Sequence, residues 1–231
     1  MADVNWFSTH LQSLMNSLHI SAKTVPIFLT DNVLLYIGHG NYTNCCILGY
    51  HGAAIPVGQG SGSANGQGKQ PVQTFMYGAW TTPGTYSGFL SDYTGTRTAP
   101  VPTRGLADIH GLSHEVSEWL DDPFVNNAVQ PWLTPTAPQY GCTNVLETGD
   151  PVVGIGFAIG TNTFAQGPNP NGTQSADGYY HPEDEALLPW FMRLPSSNTG
   201  TEVNQSGVGG RYTFMGDLNP FPGFRQPATG C

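Results

Sequence analysis

The sequence predicts an α+β layer, a mixed sheet of short apolar strands packed on one amphipathic helix and joined by many long loops. Three observations lead there. Apolar runs of strand length crowd the first third of the chain. One stretch with helical periodicity gathers the scarce ionisable groups. Thirty glycines and 19 prolines punctuate the 231 residues. The length fits one domain with a sizeable core. It reads as a single unit over 1–231, with a helical segment at 1–23, a core at 24–192 and a loop-rich segment at 193–231.

Trp6, Leu11, Leu14, Met15 and Leu18 recur at helical spacing and predict an amphipathic helix over 5–19. Thr24 to Ile37 is β-rich, and its continuous apolar run predicts a strand buried on both faces. Gly38 to Asn41 is a turn, Cys45 to Tyr50 a second strand, and Gly58 to Gly68 a surface loop. Val72 to Trp80 is a third strand, ended by Thr-Thr-Pro-Gly. Asp108 to Asp122 predicts the central helix, with Ile109, Leu112, Val116, Trp119 and Leu120 on the side that packs on the sheet. A long loop runs from Pro123 to Cys142, and Leu146 to Pro151 is a turn with two acids. Val152 to Phe164 alternates Gly with apolar residues as a strand or hairpin, and Gly167 to Gly178 is another loop. A last helix is expected over 182–193, with Pro182 at its first position, Glu183, Asp184 and Glu185 complementing its dipole, and Arg193 in its last turn. Arg211 to Met215 is a short aromatic strand.

Charged residues make up 10% of the chain, against roughly 25% in an average soluble domain. A net charge of −9 with only seven Lys and Arg argues against nucleic-acid partners and anionic membrane surfaces. No run approaches transmembrane length. The turn-rich, low-charge composition reads as a secreted, extracellular protein, here a mature form, since Met1 to Trp6 lacks the basic and apolar regions of a signal peptide. Sequons at Asn41, Asn171 and Asn204 fit a glycoprotein. Cys45, Cys46, Cys142 and Cys231 predict two disulfides. Adjacent residues on a strand point to opposite faces. Cys45 and Cys46 are therefore each expected to bond a distant partner, Cys142 or Cys231, in either order.

Residues 108–122 hold five of the 16 acids and two of the seven histidines. On a helix, His110, His114, Glu118 and Asp121 fall within an arc of roughly 80°. His114-Glu-Val-Ser-Glu118 is one residue away from the H-E-x-x-H pattern of zinc peptidases. Side chains at i and i+4 stand one above the other and can reach one cation, which makes His114 and Glu118 metal ligands. Glu115, at i+1, can take a proton from water beside that cation as general base. Glu118 in place of a second histidine makes the set harder and more anionic, so zinc is expected, with calcium or manganese also accommodated. Glu147 is the first choice for a third ligand, then Asp150 and Asp122, with His110 and Asp121 as additional candidates. His39 and His51, flanked by glycines at strand ends, could face substrate, and His181 belongs to a helix-cap region. No G-x-S-x-G nucleophile elbow is present. A helix carrying H-E-x-x-E behind a mixed sheet is the arrangement of zincin-like domains.

Ser113-His-Glu-Val-Ser-Glu-Trp-Leu-Asp-Asp-Pro123 resembles the S-H-E-x-x-E-(W/A)-x-x-(D/N)-P motif of a group of uncharacterised secreted bacterial and fungal proteins. It is also similar to the S-H-E-x-x-E segment of the plant phosphate-induced, or Exordium-like, proteins. Further matches to the bacterial group are Tyr36-Ile-Gly-His-Gly40, Cys45 to His51, Gly141 to Pro151 and Glu183 to Phe191, so that the resemblance covers most of 24–192. It implies a zincin-like fold without naming a substrate. The leading expectation is thus a secreted metal-dependent hydrolase of metallopeptidase type acting on a peptide or protein. The alternative is a non-catalytic extracellular structural, adhesive or filament-forming protein that keeps the motif as a metal clamp or core network. Self-association would then run through aromatic strands such as Thr74 to Trp80. With two disulfides, alkylation under non-reducing denaturing conditions should leave the intact mass unchanged; four alkylated thiols in freshly purified protein would refute the bridges.

Overall fold

The computed structural model describes residues 1–38, 40–43, 45–54, 72–81, 91–94, 101–104, 108–134, 141–153, 155–157, 159–160, 180–194, 212–214 and 231. Its centre is a mixed three-stranded sheet. β6 (Gln73–Trp80) lies in the middle, parallel to β2 (Ile27–Asp31) and antiparallel to β5 (Gly49–Ala54). Period-2 alternation splits β6 between two helices. Phe75, Tyr77 and Ala79 face α1 (Val4–Ser17), where they pack with Leu11 and Met15. Asp3 caps that helix, its Oδ1 accepting the N–H groups of Asn5 and Trp6. The Tyr77 hydroxyl donates to the Val33 carbonyl at 2.7 Å, which satisfies the one polar atom on this buried ring.

The opposite face of the sheet carries α2 (His110–Asp121). Gly49 and Gly78 are direct cross-strand partners there. A Cβ on Gly78 would sit 2.9 Å from the Leu112 Cα, and one on Gly49 would sit 2.7 Å from the Gly111 carbonyl oxygen. Gly111 fits as closely in return, since its Cβ would meet the Leu48 carbonyl oxygen at 2.7 Å. Helix backbone therefore rests directly on strand backbone. Gly49 and His51 share this face of β5, while Tyr50 turns to the other side against Tyr77, with ring centroids 5.6 Å apart.

A second core forms further along the chain. β9 (Ala128–Leu133) pairs antiparallel with β10 (Cys142–Val145), followed by a 3-10 turn (Asp150–Val152), β11 (Ile155–Gly156) and α3 (Leu188–Phe191). Trp132, Trp190 and Phe191 meet edge to face and pack with Val152, Ile155, Ala186 and Tyr212. The Trp132 Nε1–H donates to the Val145 carbonyl at 2.9 Å. Two small sheets complete the description. β1 (Ala2–Asp3), β3 (Leu35–Tyr36) and β4 (Cys45–Ile47) form one; β11 with β7 (Ser91–Thr94) and β8 (Val101–Arg104) forms the other.

The α+β class holds, and several expected elements change. The run from Thr24 to Ile37 is two strands, because Asn32 adopts a left-handed φ of +55° between them. β2 is an edge strand with Ile27 and Leu29 each 51% exposed, so it is not buried on both faces. The stretch after Pro123 contains β9 rather than loop alone. The helix expected over 182–193 shrinks to α3. Residues 183–186 are extended instead, bridging Gly156 through Glu183 and Thr213 through Ala186. α2 keeps Leu112 against Gly78 on the sheet as expected, with Ile109, Val116 and Trp119 half-buried, but its most buried side is the one that carries acids and histidine. Its buried residues are His110, Gly111, Glu115 and Glu118, while Leu120 is 69% exposed.

The cysteine pairing is corrected as well: Cys45 bonds Cys46, and Cys142 bonds Cys231. The alternation that would separate Cys45 from Cys46 presumes a regular strand, but β4 is three residues long and its register against β3 shifts. Asn41 lies exposed in the turn between Gly38 and Tyr42. Asn171, Asn204, His39 and the Gly58 to Gly68 loop lie outside the described residues. Gly78→Ala should cost about 1–3 kcal/mol, because backbone rather than a flexible side chain stands in the way. The measurement is a lower urea midpoint at unchanged m-value.

Candidate metal centre

Four parts of the chain converge on the buried face of α2. The helix supplies His110, His114, Glu115 and Glu118; β5 supplies His51. The turn between β10 and β11 supplies Glu147 and Asp150, and the extended segment before α3 supplies Glu183 and Glu185. A cavity of about 250 Å³ opens among them, lined by His110, His114, Glu115, Glu118, Asp150 and Glu183 together with Cys46 and Gly49. Gly49 lets the Glu115 side chain pass, since its Cβ would meet the Glu115 Cγ at 2.5 Å. Gly149 does the same for the His114 ring.

The geometry is organised around Glu118. Its Oε1 lies 3.1 Å from His114 Nε2 and accepts the N–H groups of Gly149 at 3.1 Å and Asp150 at 3.2 Å. Its Oε2 lies 3.6 Å from His51 Nδ1. Asp150 Oδ1 approaches His114 Nε2 at 3.7 Å, and Glu115 Oε1 approaches the same nitrogen at 3.9 Å. Glu115 Oε2 is 3.1 Å from His51 Nδ1. Each histidine uses its outer nitrogen for orientation. His114 Nδ1 meets Glu183 Oε2 at 2.8 Å, and His51 Nε2 meets the Asp122 carbonyl at 3.0 Å. An imidazole with one nitrogen fixed by a carboxylate or carbonyl and the other aimed inward is the arrangement of metal-ligating histidines.

The segment carrying Glu183 and Glu185 is stitched to the helix. The Glu183 N–H donates to Ser113 Oγ at 2.9 Å, and the Ser117 hydroxyl donates to Glu185 Oε1. Asp108 anchors the same junction, its Oδ1 accepting the N–H groups of His181 and Ile109. Burial alone would raise the Asp108 carboxyl, but these bonds and the His181 side chain hold it below the usual range.

Among the described residues, two triads each hold ligand atoms within 4.8 Å of one another: His51 with Glu115 and Glu118, and His114 with Glu118 and Asp150. Six carboxyl groups (Glu115, Glu118, Glu147, Asp150, Glu183 and Glu185) face three imidazoles (His51, His110 and His114), so with all of them ionised the group would be three positive charges short even with every ring protonated. Among the described basic side chains, Lys23 is exposed and Arg193 is bound to Gln130 and the Pro131 carbonyl. The strain of this excess appears in the titration. Burial and the nearby Glu118 push Glu147 up to about 8. Burial pushes Asp150 up to about 6 against the pull of His114. Burial and Glu183 push Glu185 up to about 9. Burial would lower His51, but Glu115 outweighs it and holds the ring at about 9. His114 is raised well above its usual value because Glu118 and Glu183 overcome its burial. Glu183 Oε1 is buried with no hydrogen-bond partner among the described residues. Donor chemistry, uncompensated charge and an orphaned carboxylate oxygen all fit a divalent cation.

His114, Glu115 and Glu118 are brought together by the helical spacing, and Asp150, the second choice for a third ligand, joins them from the turn after β10. Glu147 is near, but on the His51 side, its Oε2 3.9 Å from His51 Nε2. His110 pairs with Glu183 at 3.0 Å. Asp121 is exposed at the helix end, outside both triads. Asp122 is fully buried and committed to a turn, its two oxygens accepting the N–H groups of Asn126 and Asn127. Sequence reasoning missed Glu183 and Glu185, taking them for dipole charges, and placed His51 only as a substrate-facing candidate. The available signal was the rarity of charge: three consecutive acids at 183–185 in so neutral a chain are unlike a solvated surface turn.

No family model matches this chain, and no curated protein or solved structure shows significant similarity to it.

In metal-free protein, stability should fall as pH rises from 5 to 9. Asp150, Glu147, Glu185 and His51 all hold protons more tightly folded than unfolded. Their contribution is complete below the unfolded values and is lost as pH passes through about 6, 8 and 9. Urea midpoints of chelator-treated protein at pH 5, 7 and 9 measure this, and a midpoint that climbs with pH would refute the picture.

Proposed function

We propose that the chain is a secreted, zincin-like metal-dependent hydrolase of metallopeptidase type. His114 Nε2, Glu118 Oε1 and Asp150 Oδ1 hold the cation, with Asp150 in the place expected for Glu147. The observation that carries this reading is the position of Glu115: one carboxylate oxygen faces the His114 nitrogen that would bind metal, and the other is held by His51. The motif resemblance to secreted proteins supports the same class. Two disulfides fit an oxidising compartment, and no helix among the described residues is long and apolar enough to cross a membrane.

A divalent cation in this set, zinc by its imidazole-carboxylate chemistry, would supply Lewis acidity toward a peptide carbonyl and toward water. Glu115 Oε1 takes the proton of the attacking water and passes it to the departing amine nitrogen. His51 fixes Glu115 through Oε2 and is itself oriented by the Asp122 carbonyl. Glu183 keeps the His114 lone pair directed inward. Two carboxylates and one imidazole would leave less positive charge on the cation than a histidine-rich set, and so would acidify water less.

One observation favours a second reading, a non-catalytic core network: each histidine of the centre already has a protein partner. Metal analysis with activity separates the two. Purified protein should carry zinc, His114→Ala should lose it, and Glu115→Gln should keep metal while peptide cleavage drops by roughly 10²–10⁴-fold. Metal-free protein with no peptidase activity after zinc reconstitution would leave the network reading.

A further inference from the structure

The two carboxylate oxygens of Glu118 face different histidines. Oε1 is 3.1 Å from His114 Nε2, and Oε2 is 3.6 Å from His51 Nδ1. A carboxylate presenting one oxygen to each of two ligand groups is the bridging element of two-metal centres. The second group is as complete as the first. His51 Nδ1, Glu115 Oε2 and Glu118 Oε2 belong to buried residues, and His51 Nε2 is occupied by the Asp122 carbonyl, which leaves Nδ1 as the inward-facing nitrogen. The H-E-x-x-E spacing alone could not reveal this group, because His51 arrives from β5, 64 residues before Glu115.

We infer that the centre binds two divalent cations, one on His114, Glu118 and Asp150 and the other on His51, Glu115 and Glu118, with Glu118 bridging them. The inference rests on the metallohydrolase reading for the first cation and adds the second. One cation leaves a large carboxylate excess in a buried site, and two reduce it further, since each brings two positive charges. The second cation takes the position of the proton between His51 Nδ1 and Glu115 Oε2. The Gly149 and Asp150 amides hold the bridging carboxylate in orientation, as the outer shell of a metal site does. With Glu115 Oε2 on the second cation, its Oε1 still faces the first ligand set, 3.9 Å from His114 Nε2.

The test loads chelator-stripped full-length protein with Zn²⁺ or Mn²⁺, removes free metal by gel filtration and counts the bound ions by mass spectrometry. Wild type should hold about two equivalents and His51→Ala and His114→Ala about one each. Far-UV circular dichroism checks that the variants are folded. Electron paramagnetic resonance of the Mn²⁺ form needs no variant: a bridged pair gives an exchange-coupled spectrum, whereas His51→Ala should show an isolated ion. One equivalent in wild type, unaffected by His51→Ala, would overturn the pair and leave the hydrolase reading intact. One equivalent kept by His114→Ala but lost in His51→Ala would overturn both the pair and the first ligand set, and no bound metal would overturn everything built on them.

Discussion

With no side chain at Gly49, Gly78 or Gly111, α2 settles backbone to backbone on β5 and β6, and the closeness of His51 to Glu115 and Glu118 follows from that contact. A helix usually stands off a sheet by the thickness of its side chains. Here the gap is closed, so His51 on the strand reaches the middle and C-terminal end of the helix, and Glu115 threads past the strand without displacing it. Tyr77, Phe75 and Ala79 on the reverse of the same strand anchor β6 against α1, which keeps the floor from yielding. One face of β6 provides stability and the other provides room.

Against this compact scaffold stands an unfavourable charge distribution. Five carboxylates largely withdrawn from water, with the partly exposed Asp150 beside them and three imidazoles facing them, carry a desolvation cost that mutual attraction does not cancel. The metal-free chain meets it by binding protons more tightly, with Glu147, Asp150, Glu185 and His51 all pushed above their usual values. Backbone amides at Gly149 and Asp150 and hydroxyls at Ser113 and Ser117 hold the acids in place. Such a cluster is poorly suited to stability for its own sake, and it is well suited to exchanging protons for cations.

Much of this was legible in the sequence where local rules apply. The periodicity of Val4 to Ser17 and His110 to Asp121, the apolar run of β6 and the i, i+4 pairing of His114 with Glu118 all survive in the structure. What was not legible depends on long-range placement. A helix face rich in His and Glu carries no local signal of how deeply it is buried, because the covering groups, His51 and Glu183, come from distant parts of the chain. Pro182 followed by three acids is a strong helix-start signal, but the bridges from Glu183 to Gly156 and from Ala186 to Thr213 keep that segment extended. Cys45 and Cys46 were assigned by strand alternation, which a three-residue irregular strand does not enforce.

The glycine floor also bears on how this chain can drift over generations of mutation. Exposed positions such as Leu120 and Phe124 are free to change, and an acid can be traded for another acid or for an amide with partial loss. Gly49, Gly78, Gly111 and Gly149 have no such neighbours in sequence space, because even alanine collides with backbone or with a site side chain. Distant kin would therefore share spaced small residues at these four places before they shared any particular ligand. A pattern built on those gaps, with histidine and carboxylate left variable between them, would trace descent further than the charged motif alone.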